Sequence, residues 1–118
     1  MSAVVPGGTS VDLGELVTIA GSRGGVIWTL EESGDLNANL VRFDAGGGVG
    51  EHANEEVDVV FLGVAGSGSV RVDGEEHPLS AGTLVFAPKG ARRSSCASSE
   101  GFAYLTVHRR RGPLRIGG

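Results

Sequence analysis

Hydrophobic and polar positions alternate along this chain in short blocks. Leu16-Val-Thr-Ile-Ala20 is rich in β-branched residues and closes at Gly21-Ser-Arg-Gly-Gly25. Val26–Leu30 follows and ends at Glu31-Glu-Ser-Gly-Asp35, and Leu36–Asp44 runs up to Ala45-Gly-Gly-Gly48. Further runs are Val57–Ala65, Ser67–Val72, Leu84–Ala87, Ala91–Ala97 and Phe102–His108. No window of helical length carries a convincing 3.6-residue stripe, so the pattern predicts strands throughout. The sharpest turn signal is Asp73-Gly74, set between Ser69-Val-Arg-Val72 and Glu75-Glu-His-Pro-Leu79, which predicts a type I′ hairpin. Ser80-Ala-Gly82 and Pro88-Lys-Gly90 mark two more turns. About eight short strands in one small chain predict an all-β domain, a closed barrel or antiparallel jelly roll that leaves few edges exposed.

The chain has 118 residues, a length that suits one domain with one core. Residues 1–15 read as a loose N-terminal arm, 16–110 as the barrel, and 111–118 as a C-terminal tail. A hydrophobic share of 40% with a net charge of only −4 excludes a wholly disordered chain. Glycine at 21 positions fits a fold made of many tight turns. The single cysteine, Cys96, rules out an internal disulfide and reads as a small buried hydrophobe. The N-terminal sequence has no signal-peptide pattern, and the most apolar stretch, Val57–Ala65, is far short of the ~18–20 residues of a membrane helix. A cytoplasmic protein with no membrane partner is therefore expected. The mild acidity speaks against nucleic acid, and Arg109-Arg-Arg111 with Arg115 reads as a solvated basic tail. No serine sits in a G-x-S-x-G elbow, and Gly46-Gly-Gly48 lacks the Lys and Ser/Thr of a phosphate loop.

Two spaced motifs give the chain a family likeness. Gly46-Gly-Gly-Val-Gly-Glu-His52-Ala-Asn54-Glu-Glu-Val-Asp58, with Gly66 beyond it, resembles the first motif of the cupin superfamily, G-x5-H-x-H-x3/4-E-x6-G. Gly82-Thr-Leu-Val-Phe-Ala-Pro88-Lys-Gly90-Ala-Arg92-Arg93 resembles the second, G-x5-P-x-G-x2-H-x3-N. The resemblance covers roughly Leu36 to His108 and implies a small single-domain jelly-roll barrel. In metal-binding cupins two His and a Glu from the first motif and a His from the second surround a transition metal. Here those positions hold His52, Asn54, Asp58 and Arg93, and the closing Asn is Ala97. Asp58 is preferred over Val59 for the carboxylate position because valine offers no donor atom.

The substitutions decide the expected chemistry. Borderline divalent metals take three or four imidazole, thiolate or carboxylate ligands. Arginine keeps its proton and cannot ligate. The expectation is therefore a site without the usual transition metal; if a metal bound, His52, Asp58 and Glu56 would be its ligands, with His108 also within call. A guanidinium at Arg93 facing Asp58, beside His52 and Asn54, would instead supply fixed positive charge. Two readings stay open at this point: a structural ion pair, or a pocket for a small polar or anionic ligand. The candidate binding residues are His52, Asn54, Glu56, Asp58, Arg93, Tyr104 and His108. Tyr104, Thr106 and His108 share one face of the last strand and Ala103, Leu105 and Val107 the other, the purely apolar set being expected to meet the densest packing. A cupin-type enzyme, a metal-dependent oxygenase or isomerase with a rearranged site around His52, is the alternative to a binding or regulatory protein. The resemblance also implies a homodimer.

Overall fold

A computed structural model describes residues 7–110; the beginning of the arm at 1–6 and the tail at 111–118 lie outside it. The chain enters through a helix, α1 (Leu13–Ala20), followed by β1 (Gly25–Thr29), β2 (Leu36–Phe43), β3 (His52–Ala53), β4 (Val59–Val72), β5 (Glu75–Ser80), β6 (Leu84–Ala87) and β7 (Arg92–Arg109). The helix corrects the strand expected over Leu16–Ala20. Asp12 caps it by accepting a hydrogen bond from Glu15 N at 3.0 Å, and Gly21 ends it at φ 60°. Leu13, Leu16, Val17 and Ala20 then fall at i, i+3, i+4 and i+7, the least exposed positions of the helix. The helical stripe exists but begins three residues before the β-branched run that suggested a strand.

The strands form one antiparallel sheet in the order β1-β2-β7-β4-β5, with β3 added to β7 and β6 added to β4. Among the described residues the hydrogen-bonded path does not return on itself, so the architecture is a jelly roll rather than a closed ring. Two long strands replace four expected short ones. β4 runs through Gly66 and β7 through Gly101, and the breaks read from sequence are irregularities in the β4–β7 ladder at Gly63/Ala65 and Gly66/Gly68. Gly66 and Gly101 take φ of 66° and 71°, and a Cβ on Gly66 would lie 2.2 Å from the Gly101 carbonyl oxygen. The bend that folds the sheet over its own core thus needs glycine at this crossing. The Asp73-Gly74 turn forms as expected, with φ of 49° and 85° at its two central residues.

The inner face gathers Val41, Val57, Val59, Phe61, Val70, Val72, Leu79, Val85 and Ala87, with Phe102 and Tyr104 from β7. Phe43, Phe61 and Phe102 surround Tyr104 with ring centroids 5.0 to 6.3 Å away. The sequence leaves open which face of this part of β7 lines the interior, but the purely apolar set expected in the densest packing is not the one that joins this core. Tyr104 is only 2% exposed, whereas Leu105 and Val107 face outward and are half-buried. The polar-aromatic face turns inward because the interior holds a cavity as well as a core. Cys96 is exposed on β7, not buried. Trp28 is half-buried on β1. Among the described residues no helix is long and apolar enough to cross a membrane.

Gly63 is where β4 passes the β5–β6 connection at backbone contact. It donates to Thr83 O at 2.8 Å and accepts from Gly82 N at 3.0 Å, and a Cβ there would lie 1.9 Å from the Ser80 carbonyl oxygen. Gly63→Ala is expected to cost about 2–3 kcal/mol of stability by overpacking, measured by urea denaturation. Gly50→Ala, where a Cβ meets nothing within 4 Å, is expected to stay within about 0.5 kcal/mol of the parent.

Candidate functional site

The site is set by two adjacent arginines that part company. On β7 the residues at 93, 95 and 97 are buried while 92 and 96 are exposed, the alternation a strand imposes. Arg92 therefore points out, where its Nε donates to Glu51 Oε2 at 2.7 Å; that hydrogen bond and the charge of Glu51 raise its pKa. Arg93 points in and is 5% exposed, with its Nη1 fully buried. The two-residue strand β3 pairs with β7 so that His52 stands opposite Arg93 and Ala53 opposite Arg92. Cross-strand partners share a face, so His52 and Arg93 belong to one site.

A cavity of about 170 Å³ opens beside them. Val49, Val59 and Phe61 form its apolar wall; His52, Asn54, Arg93, Thr106 and His108 form its polar one. His52 is exposed, with Nδ1 2.9 Å from the Gly50 carbonyl oxygen, and His108 is half-buried, with Nδ1 2.7 Å from the Arg109 carbonyl oxygen. A carbonyl only accepts, so both rings carry a proton on Nδ1 and have Nε2 left for other contacts. Asn54 is 6% exposed. Its Oδ1 accepts from Glu56 N at 2.9 Å in an Asx-type turn, and its backbone carbonyl accepts from Gly90 N at 2.7 Å. Its Nδ2 is buried without a hydrogen bond.

Four of the seven candidate residues thus meet at one cavity, and three do not line it. Asp58 does not face Arg93: its side chain is exposed and Oδ1 accepts from Lys89 N at 2.8 Å, pinning the loop before β4 to the turn before β7. The ion pair expected between Asp58 and Arg93 is replaced by this loop staple, because a turn N–H sits closer to the carboxylate than the barrel interior does. Glu56 is exposed on the same loop, and its backbone carbonyl accepts from Arg109 Nη2 at 2.9 Å. Tyr104 lies in the aromatic core and shares a 2.8 Å hydrogen bond with Ser95 Oγ. Four lining residues were not among the candidates: Val49, Val59, Phe61 and Thr106. Thr106 was readable from its alternation with His108, whereas Val49 comes from a glycine-flanked loop with no distinguishing pattern.

The donor set does not fit a divalent transition metal. Among the described residues no three His, Cys, Asp or Glu side chains come close enough to hold an ion. The cavity offers two imidazoles, a neutral amide and a guanidinium, and the guanidinium would repel a cation. A larger hollow of about 300 Å³ lies between α1 and the irregular crossing of β4 and β7. Its arginine, Arg42, is committed to Asp44 at 2.9 Å and to the Arg23 carbonyl.

With fold and site in view, comparison with known proteins is decisive for the family. The cupin domain model matches residues 39–108, more than half of the chain. The protein is a cupin. Among solved structures it is similar to the TT1209 protein of Thermus thermophilus, at 26% identity over 87% of this chain and 98% of that one, with a TM-score of 0.75. It is also similar to KdgF from Halomonas sp., at 26% identity over 72% of this chain and 77% of that one, with a TM-score of 0.66. A cupin-2 domain containing protein from Shewanella frigidimarina shares the fold at 20% identity, covering 85% of this chain and 94% of that one, with a TM-score of 0.67. No curated protein matches the sequence. The family match spans both motif regions, including the positions where this cupin carries Asn54 and Arg93.

Burial raises the pKa of Tyr104 above its ordinary value of 10, against a smaller opposing effect of the Ser95 hydrogen bond. A raised folded-state pKa means that the neutral phenol stabilises the fold below pH 10 and that this contribution falls away as pH rises beyond it. Tyr104 is the chain's one tyrosine, so ultraviolet titration reads it alone. Ionisation is expected above pH 10 and together with loss of structure, and Tyr104→Phe is expected to cost about 1 kcal/mol.

Proposed function

We propose that this cupin binds a small polar or anionic molecule directly on its side chains, in the barrel cavity, without a transition metal. The observation that carries the reading is the buried amide of Asn54, whose Nδ2 makes no hydrogen bond, in a residue that lines the same cavity as the buried Arg93. An unsatisfied buried donor costs about 1–3 kcal/mol, and a ligand that brings an acceptor recovers it. A carboxylate suits both groups, because it accepts only and takes several donors at once. The cavity's 170 Å³ corresponds to about five or six water volumes of about 30 Å³ each. That limits the ligand to a small molecule, below the ~300–1,000 Å³ of drug-sized sites. A binding or regulatory role follows from a site built of donors around a fixed charge.

Acid–base catalysis at His52 is the second reading. The observation in its favour is that His52 is open to solvent and shares its cavity with a second imidazole, His108. It differs from the first in requiring turnover of the bound molecule.

Chelator-treated protein is expected to keep its melting temperature and to bind propionate, read as shifts of the His52 and His108 ring protons by nuclear magnetic resonance. Arg93→Met is expected to weaken that binding about tenfold to a hundredfold, the loss of a charge-assisted hydrogen bond. Stoichiometric Fe, Mn, Ni, Cu or Zn retained through purification and lost in His52→Ala would overturn the metal-free reading.

A further inference from the structure

The outer side of the sheet presents an apolar face that the core does not use. Val60 on β4 stands opposite Phe86 on β6 and Val107 on β7, and Leu62 stands opposite Leu84 and Leu105. Cross-strand partners point the same way, so these six side chains make two rows across β6, β4 and β7. Their neighbours along the strands, Val59, Phe61, Val85, Ala87 and Tyr104, point the other way into the core. On β2 the rows continue into Ala38 and Leu40, which are already buried. The six are not. Leu84 is 58% and Phe86 51% exposed, and Val60, Leu62, Leu105 and Val107 are half-buried. No polar or charged residue interrupts either row.

We infer that this face is a two-fold contact between two copies of the chain. Area is the first reason. Leu84 and Phe86 together expose about 200 Å², and the four half-buried residues bring the face to roughly 300–350 Å² of apolar surface. Two copies apposed would remove about twice that from water. At the ~65% apolar share of homodimer interfaces, the whole contact reaches about 1,000 Å², the size at which specific interfaces begin. Composition is the second reason. Contacts between unlike proteins that meet and part are about as polar as the rest of the surface, whereas homodimer interfaces are more apolar and have few charges at their centre. The rim is the third. Asp58, two residues before Val60, and Arg109, two residues after Val107, are both exposed at one end of the face, where they also hold Lys89 N and the Glu56 carbonyl. A two-fold axis along the strands, between β4 and β7, sets Asp58 of each copy towards Arg109 of the other. A rim of one sign would repel a second copy. Leu105 and Val107 alternate on β7 with Thr106 and His108 of the cavity, so the contact braces the strand that lines the site from behind.

Sedimentation velocity of the full chain, from about 5 to about 200 µM, reads the contact directly. The parent protein is expected to reach twice the chain mass within that range. Phe86→Asp and Leu84→Asp each put a charge into the face at a position exposed enough to leave the fold intact, which far-ultraviolet circular dichroism checks. The two-fold repeats each substitution, so the dissociation constant is expected to rise about a hundredfold in either variant. Ile19→Asp changes a residue of α1 that is 71% exposed and outside both rows, and its dimer is expected to persist. A parent chain that stays monomeric throughout the range overturns the proposal and leaves the face to an unlike partner. A dimer that survives both aspartates, or one abolished by Ile19→Asp alone, lies elsewhere on the surface and overturns it equally.

Discussion

A cation that cannot be discharged, placed inside a small barrel, is the constraint around which this site is organised. Strand alternation leaves no choice about which arginine of the Arg92-Arg93 pair goes in. Position 93 shares the inward face with Ser95 and Ala97, and 92 is turned to solvent beside Glu51. A histidine at 93 would offer a lone pair at neutral pH; a guanidinium offers only N–H groups and a permanent charge. The arginine at 93 is therefore buried where only donors, and no metal-ligating lone pair, come from its side chain.

Three carboxylates of the surrounding loops hold those loops in place. Asp58 takes Lys89 N, Glu51 takes Arg92, and Asp73 Oδ1 takes Arg92 N at 2.9 Å. Asn54 O receives Gly90 N, and Arg109 reaches back to the Glu56 carbonyl. The contacts of Asn54, Glu56 and Asp58 fasten the loop between β3 and β4 to the turn before β7 and to the end of β7. The arrangement places Asn54 without depending on the loop's own propensity, which its mostly exposed acidic residues would otherwise leave in water. A binding group carried by a loop is useful only when the loop is tied at several points to rigid elements.

The inward turn of the polar face of β7 follows from the way the interior is shared between core and cavity. Tyr104 closes the core among three phenylalanines, and its hydroxyl finds Ser95. Two and four residues further along the strand, Thr106 and His108 occupy equivalent positions but meet the cavity instead of packed rings. One strand thus passes from core to site without changing face. Its apolar outer residues, Leu105 and Val107, are left half-buried on the sheet surface.

Much of this was legible in the residues taken singly. Period-two runs and glycine-rich turns specified an antiparallel β protein, Asp73-Gly74 specified its hairpin, and the two motifs specified the barrel and brought His52, Asn54 and Arg93 to one place, because backbone conformation and strand alternation are local properties. The helix at Leu13–Ala20 escaped for a local reason as well: its stripe is only two turns long and overlaps a β-branched run. What required the folded chain was every choice between competing partners. Asp58 is a carboxylate near a cation in sequence terms, yet a backbone N–H from a turn 31 residues away claims it. Which face of β7 points inward, and whether Gly66 and Gly101 break a strand or bend it, depend on what lies across the sheet. Such outcomes are set by distances between segments remote in sequence, and these exist only once the sheet has folded over its core.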